Sequence, residues 1–177
     1  MAVREDFSNF KYYQALPPGI YDQGTMPVAG VINGPCIDTQ GYETVTFCVE
    51  TGDVDVSLAT SLAVIRMQHT DASALGLGPS AYADVSTTDI LAIGSCEDFS
   101  AGAALVSGIV LAISVSGTSV ADFESQVWQF GYIGDKRYVR LVVESHGTAD
   151  VGSTYIGAVA TLGRPANWPA VDYKPAA

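Results

Sequence analysis

The stretch Gln126–His146, QVWQFGYIGDKRYVRLVVESH, limits what this chain can fold into more than any other, because its apolar positions alternate on both sides of one turn signal. Gly134-Asp135 suits a tight two-residue turn: glycine reaches positive φ without steric cost, and aspartate tolerates it. With the turn there, a β-hairpin follows in which Tyr132 faces Arg137, Phe130 faces Val139 and Trp128 faces Leu141. One face carries Trp128, Phe130, Tyr132, Val139, Leu141 and Val143 and has to be buried. The other carries Gln129, Lys136, Tyr138 and Arg140, with Tyr138 over the backbone of Gly131. A slip of one residue would send the rings into water, so burial sets the register.

The same alternation recurs along the chain. Val45, Phe47 and Val49 share one side of Tyr42–Val49, and Thr44, Thr46 and Cys48 the other. In Leu62–Thr70, Ile65 and Met67 point inward while Arg66 and Gln68 point outward. Val28–Ile32, Val54–Leu58, Tyr82–Val85, Asp89–Gly94 and Tyr155–Leu162 read as further strands. Thr51-Gly52-Asp53 reads as a turn. Leu105–Val115 reads as a buried strand or a hairpin broken at Ser107-Gly108, since its β-branched residues and glycines oppose a helix. Ser95–Ala101 reads as a turn or one helical turn, and Val120–Ser125 as a short helical connection. Turns about every 8–12 residues, with no helical period, predict an all-β antiparallel β-sandwich, jelly-roll-like, with extended arms at both ends.

The arms are residues 1–27 and 164–177, flanking a sandwich domain at 28–163. Phe10, Tyr12, Tyr13 and Tyr21 stand among Pro17-Pro18-Gly19 and Met26-Pro27, and Trp168 stands among the prolines of the tail. Prolines oppose regular pairing there, while the rings need cover. The arms either strap their own domain or anchor on a neighbouring subunit.

At 177 residues, 48% hydrophobic and 15% charged, the chain is one globular domain. Its net charge of -11 opposes nucleic-acid binding, which needs clustered cations. Cys36, Cys48 and Cys96, odd in number and without a CxxC pair, read as free thiols. The longest apolar run, Ala101–Val115, falls short of the ~20 residues that span a bilayer, and MAVREDFSNF lacks a signal-peptide core. A soluble protein with no membrane partner is expected.

Catalytic constellations are sparse. No GxSxG occurs. His69 with Asp71 lacks a third metal ligand, and His146 with Glu144 reads as a surface pair before it reads as a general base. Asp53 and Asp55 lack the calcium-loop spacing. Gly76-Leu77-Gly78 precedes no helix that would cradle phosphate. No enzyme activity, cofactor or metal is expected. Lys136, Arg137 and Arg140 gather three of the eight basic residues within one short stretch. They are either ordinary tip charge, with Arg137 on Tyr132, or a contact for an acidic partner surface.

The run Gln129–Arg140, QFGYIGDKRYVR, resembles a motif of head decoration or minor capsid proteins of tailed bacteriophages. The similarity extends upstream to Met67–Asp71 and Tyr82–Val85 and downstream to Ile156–Ala160. It covers about residues 40 to 165, with no counterpart for Ala101–Ser119. The resemblance implies a β-rich virion protein, made in the host cytoplasm, that binds the major capsid protein on the capsid surface as a homo-oligomer, dimer or trimer. Phe10, Tyr12, Tyr13, Tyr21, Lys136, Arg137, Arg140 and Trp168 are the candidate contact residues. The alternative is a carbohydrate- or receptor-binding module that stacks sugars on Trp128, Tyr138 or Trp168.

Overall fold

The computed structural model describes residues 10–22, 31–55, 63–71, 81–93, 108–113, 125–145 and 153–165. Eleven strands are present among them, and no α-helix. In chain order they are β1 (Lys11–Asp22), β2 (Val31–Asn33), β3 (Ile37–Asp38), β4 (Tyr42–Asp55), β5 (Ala63–Thr70), β6 (Ala83–Asp84), β7 (Ile90–Ile93), β8 (Ile109–Ile113), β9 (Gln126–Tyr132), β10 (Tyr138–Ser145) and β11 (Ser153–Pro165). A 3-10 turn at Thr87–Asp89, capped by the Ser86 side chain, precedes β7.

Two antiparallel sheets form a sandwich. The larger, by the length of its five strands, runs β1-β11-β4-β9-β7; the smaller, of six shorter strands, runs β2-β10-β5-β6, with β3 also on β10 and β8 also on β5. β2 and β3 together make one broken edge strand along β10, pairing at Val142–Glu144 and Tyr138–Val139. β8 and β6 make the opposite edge along β5, at Ala63–Arg66 and Gln68–His69. Counted this way, pairing is nested: β1 with β11, β2/β3 with β10, β4 with β9, and β5 with β6/β8. β7 extends the larger sheet beyond β9.

The core lies between the inner faces. Phe47 and Phe130 are directly opposed on β4 and β9, both essentially inaccessible. Leu16, Val45, Val49, Ile156 and Leu162 join them from the larger sheet; Ile37, Ile65, Met67, Leu111, Val139, Leu141 and Val143 face them from the smaller. The inside–outside assignments for Tyr42–Val49 and Leu62–Thr70 hold at every described residue.

Three expectations are corrected. First, β9 and β10 do not pair. β9 lies between β4 and β7, and β10 between β2/β3 and β5, so Gln126–Ser145 is an arch that crosses from one sheet to the other. The six residues of the expected buried face are all buried, but they meet across the core, not along a ladder. The turn chemistry explains the difference. Among the described glycines only Gly41 and Gly108 have positive φ, so Gly134 does not form the tight turn that a two-residue hairpin requires. Gly134 is needed because a Cβ there would stand 2.6 Å from the Tyr132 ring. The connection closes around that phenol: Lys136 N–H donates to it at 3.0 Å, and Ile133 N–H donates to the Asp89 carbonyl at 2.9 Å. Gly131 is covered by Leu91, not by Tyr138.

Second, residues 11–22 lie on their own domain, as the strap alternative has it, but as a regularly paired strand and not as a peripheral arm. β1 is the edge strand on β11, with Ala15, Leu16 and Tyr21 in the core. Pro17 and Pro18 are tolerated because they fall where the register is irregular, between Leu16 and Gly19, on a strand paired on one side only. Third, Thr51-Gly52-Asp53 continues β4 instead of turning it. The chain does break at Gly108, which enters β8 from the left-handed region. Ser95–Ala101, Trp168, His146 and most of Val120–Ser125 lie outside the described residues, and residues 164–165 of the expected tail belong to β11.

Candidate functional site

The outer face of the larger sheet carries several exposed apolar side chains. Outward positions are set by pairing: Val159 lies beside Cys48, which lies beside Gln129, and Gly157 lies beside Glu50, which lies beside Val127. Gln14 extends the first row onto β1, and Tyr12 lies beside Thr161 in the next row. Tyr12 is 61% exposed, Ile20 63%, Val127 66% and Val159 46%, so large apolar groups on this face meet water. Tyr155 and Leu91 are exposed there too. Small residues sit beneath large ones: a Cβ on Gly163 would press on Phe10 at 3.0 Å, one on Gly52 on Tyr155 at 3.0 Å, and one on Gly157 on Pro18 at 3.3 Å.

Between β1 and β9 this face is indented by a groove of about 530 Å³ lined by Tyr12, Pro18, Cys48, Val127 and Val159. Among the described residues, Glu50 is the one charged residue lining it. A surface of this kind offers apolar contact and shape.

The smaller sheet presents a polar outer face. Arg66 on β5 is held between Glu144 at 2.6 Å and Asp84 at 3.0 Å. Gln68 donates from Nε2 to Asp84 at 3.0 Å, which turns its carbonyl oxygen toward Arg140 on β10. Arg140 donates to that oxygen from Nε at 3.2 Å and from Nη2 at 2.8 Å, and its guanidinium lies 3.7 Å over the Tyr82 ring. Burial works against the Arg140 charge and pushes the Tyr82 phenol up to about 12.

At the arch, Lys136 pairs with Asp71 at 2.7 Å and Arg137 holds Asp38 through two contacts, 3.0 and 2.7 Å. The Arg137 hydrogen bonds hold the Asp38 carboxyl below the usual carboxylate range, and the Lys136 bond does the same for Asp71. His69 Nδ1 sits 3.0 Å from the Tyr132 hydroxyl; burial lowers the imidazole's pKa and raises the phenol's.

The candidate contact residues are thus scattered. Phe10 and Tyr12 share the exposed apolar face, and Tyr13 is half-buried against the core. Tyr21 is buried and donates to the Pro17 carbonyl. Lys136 and Arg137 are spent on acids of their own chain, and Arg137 stacks at 4.9 Å on Tyr138 instead of on Tyr132. Arg140 is apart from both. Of the rings expected to stack sugars, Trp128 is buried with its indole N–H toward Thr51, Tyr138 carries Arg137, and Trp168 lies outside the described residues. Glu144 is committed to Arg66.

Val127, Val159, Tyr155, Gln68, Tyr82 and Cys36 are not among the contact residues expected from sequence. For Val159 and Tyr155 the signal is present: Tyr155–Leu162 is apolar at both parities, which marks a strand with two apolar faces. Among the described residues no cluster of His, Cys, Asp or Glu could hold a metal ion, and no helix is long and apolar enough to cross a membrane. No family model matches the chain, and no curated protein or solved structure is significantly similar to it.

Proposed function

We propose that this protein is a non-enzymatic virion protein that binds the major capsid lattice of a tailed-phage head and stabilises it. The observation that carries the reading is the exposed apolar outer face of the β1-β11-β4-β9 sheet, with Tyr12, Val127 and Val159 around its groove. Such a face gains free energy only by being covered, at roughly 25 cal/mol per Å² of apolar surface removed from water. A protein that works by covering another surface needs no catalytic groups.

The nested strand order supports the same reading. With β7 left aside, the strands pair first with last and so inward, an order that supports a jelly-roll-like winding. Jelly rolls are frequent in viral capsids, although a fold alone never assigns a function. The likeness of Gln129–Arg140 to head decoration proteins points to the major capsid protein as partner, with a dimer or trimer as the docking unit. Lys136 and Arg137, paired within the chain, are not assigned to the contact.

The test is sedimentation of purified protein with phage heads that lack a decoration protein. Wild type is expected to coat the heads. A Val127→Asp, Val159→Asp double variant, with an unchanged melting temperature, should lose about tenfold or more in affinity, since two carboxylates would be buried unpaired. Equal occupancy by the double variant would remove this face as the anchor, and wild type that ignores the heads would overturn the capsid reading.

A further inference from the structure

Arg140 differs from the other cations on its side of the molecule. Arg66, Lys136 and Arg137 each touch at least one carboxylate, at 3.0 Å or closer. Arg140 is 7% exposed, yet no Asp or Glu pairs with it among the described residues. Residues 72–80, which lead into Tyr82, contain no acid. Its only hydrogen-bond acceptor among the described residues is the neutral amide oxygen of Gln68, which takes the side-on pair of N–H groups, Nε and Nη2. The end-on pair, on Nη1 and Nη2, is left over. That edge is not sealed in: the one buried side-chain polar atom without a partner among the described residues is Thr154 Oγ1. The Tyr82 ring covers the guanidinium from one side, and the exposed thiol of Cys36, one residue before the Ile37 that pairs with Val139, is close enough to Tyr82 to help raise its phenol.

We propose that Arg140 forms the base of a carboxylate-binding site on the outer face of the smaller sheet, with Tyr82 as its wall and Cys36 at its rim. The chemistry follows from the geometry. Two parallel N–H donors on a rigid planar cation match the two oxygens of a carboxylate, and a charge-assisted pair of this kind is about twice as strong as a neutral hydrogen bond. Partial burial reduces screening by water and salt. Gln68 cannot supply the missing charge, and Asp84 holds its amide with the oxygen turned to the guanidinium. The site stands independently of the capsid reading; its ligand is either a small organic acid or an acidic side chain of a protein.

Cys36 provides the readout. Iodoacetate and iodoacetamide both alkylate a thiolate, the sulfur displacing iodide to leave a thioether, and they differ in that only the first carries a carboxylate. Site-resolved mass spectrometry on the full chain gives the iodoacetate-to-iodoacetamide rate ratio at Cys36 and at Cys48, which lies on the opposite face. The ratio at Cys36 should exceed that at Cys48 by about tenfold, the scale on which a focused cationic site concentrates an anion. Arg140→Gln should bring it down to the Cys48 value, while Lys136→Gln should leave it unchanged. A ratio at Cys36 no higher than at Cys48, or one that survives Arg140→Gln, overturns the proposal. Should Arg140→Gln fail to fold, wild type still decides: glutarate must slow iodoacetate at Cys36 more than sodium chloride of equal ionic strength, and no such difference sinks the site. A short polyglutamate peptide distinguishes the sources: competition by it supports the site with a protein side chain as ligand, and competition by glutarate alone supports it with a small acid.

Discussion

Thr154 on β11 is 1% exposed, and its hydroxyl has no hydrogen-bond partner among the described residues. Burying an unpaired hydroxyl costs on the order of 1–3 kcal/mol, whereas valine keeps the β-branched shape without that penalty. Thr154→Val should therefore stabilise by about 1 kcal/mol, raising the melting temperature by about 2–4 °C in a domain of this size, as calorimetry would show. His69 acts in the opposite sense. Burial depresses its folded-state pKa below the ordinary ~6.5, so the unfolded chain binds more protons and stability falls as pH drops below that value. Asp89, Asp135 and Asp71 oppose the shift and Lys136 reinforces it. Asp38 titrates in a lower window: its depressed pKa contributes stability above pH ~3.9 that is lost in more acid solution. His69→Gln should flatten the fall in melting temperature between about pH 7 and 5 and leave the loss below about pH 4 in place. An unchanged slope between pH 7 and 5 would show that His69 does not carry it. Sequence could not single out Arg140 in the same way. Lys136, Arg137 and Arg140 look equivalent along the chain, and only the cross-strand neighbours decide that two meet acids and one meets Gln68.

Alternation in a strand reports which side of the backbone is buried, and it says nothing about which strand lies alongside. That is why the inward residues of β4, β5, β9 and β10 were legible while the β9–β10 connection was misread. A hairpin and an arch have the same alternation on either side of the turn. They differ in the conformation at Gly134, which depends on where the Tyr132 ring goes. Pro17-Pro18 misled for a related reason. Prolines exclude a central strand, but an edge strand tolerates them at an irregular register, and β1 is such an edge. Deleting the chain through Asp22 should therefore not leave a folded sandwich. Loss of Leu16 and Tyr21 alone removes two core side chains, each worth about 2–5 kcal/mol when truncated in a packed interior. Together they amount to about 4–10 kcal/mol, a large share of the ~5–15 kcal/mol by which a domain of this kind is stable, and the β1–β11 ladder is lost as well. The truncated protein should show no cooperative thermal transition by circular dichroism. A sharp transition would mean that the core closes without its edge.

At the scale of the molecule, nesting makes the last strand indispensable to the first. β11 lies between β1 and β4, so both strands wait for it before their sheet can close. The pairings Lys11 with Leu162 and Asp22 with Ser153 join opposite ends of the chain. Loop-closure entropy has to be met before such contacts give anything back, and β topologies of this kind fold on the order of milliseconds to seconds. Stopped-flow refolding of the full chain should fall in that range. A fragment ending at Ser145 keeps β9, β10 and every strand of the smaller sheet, yet it leaves β1 without a partner and one edge of β4 open. It should remain uncollapsed or aggregate through that edge, and a peptide spanning residues 150–167, added in trans, should restore β-sheet ellipticity by inserting between β1 and β4. If the fragment ending at Ser145 melts cooperatively on its own, the smaller sheet with β4 and β9 is self-sufficient, and the first-to-last pairing is a late addition to the fold instead of its closing step.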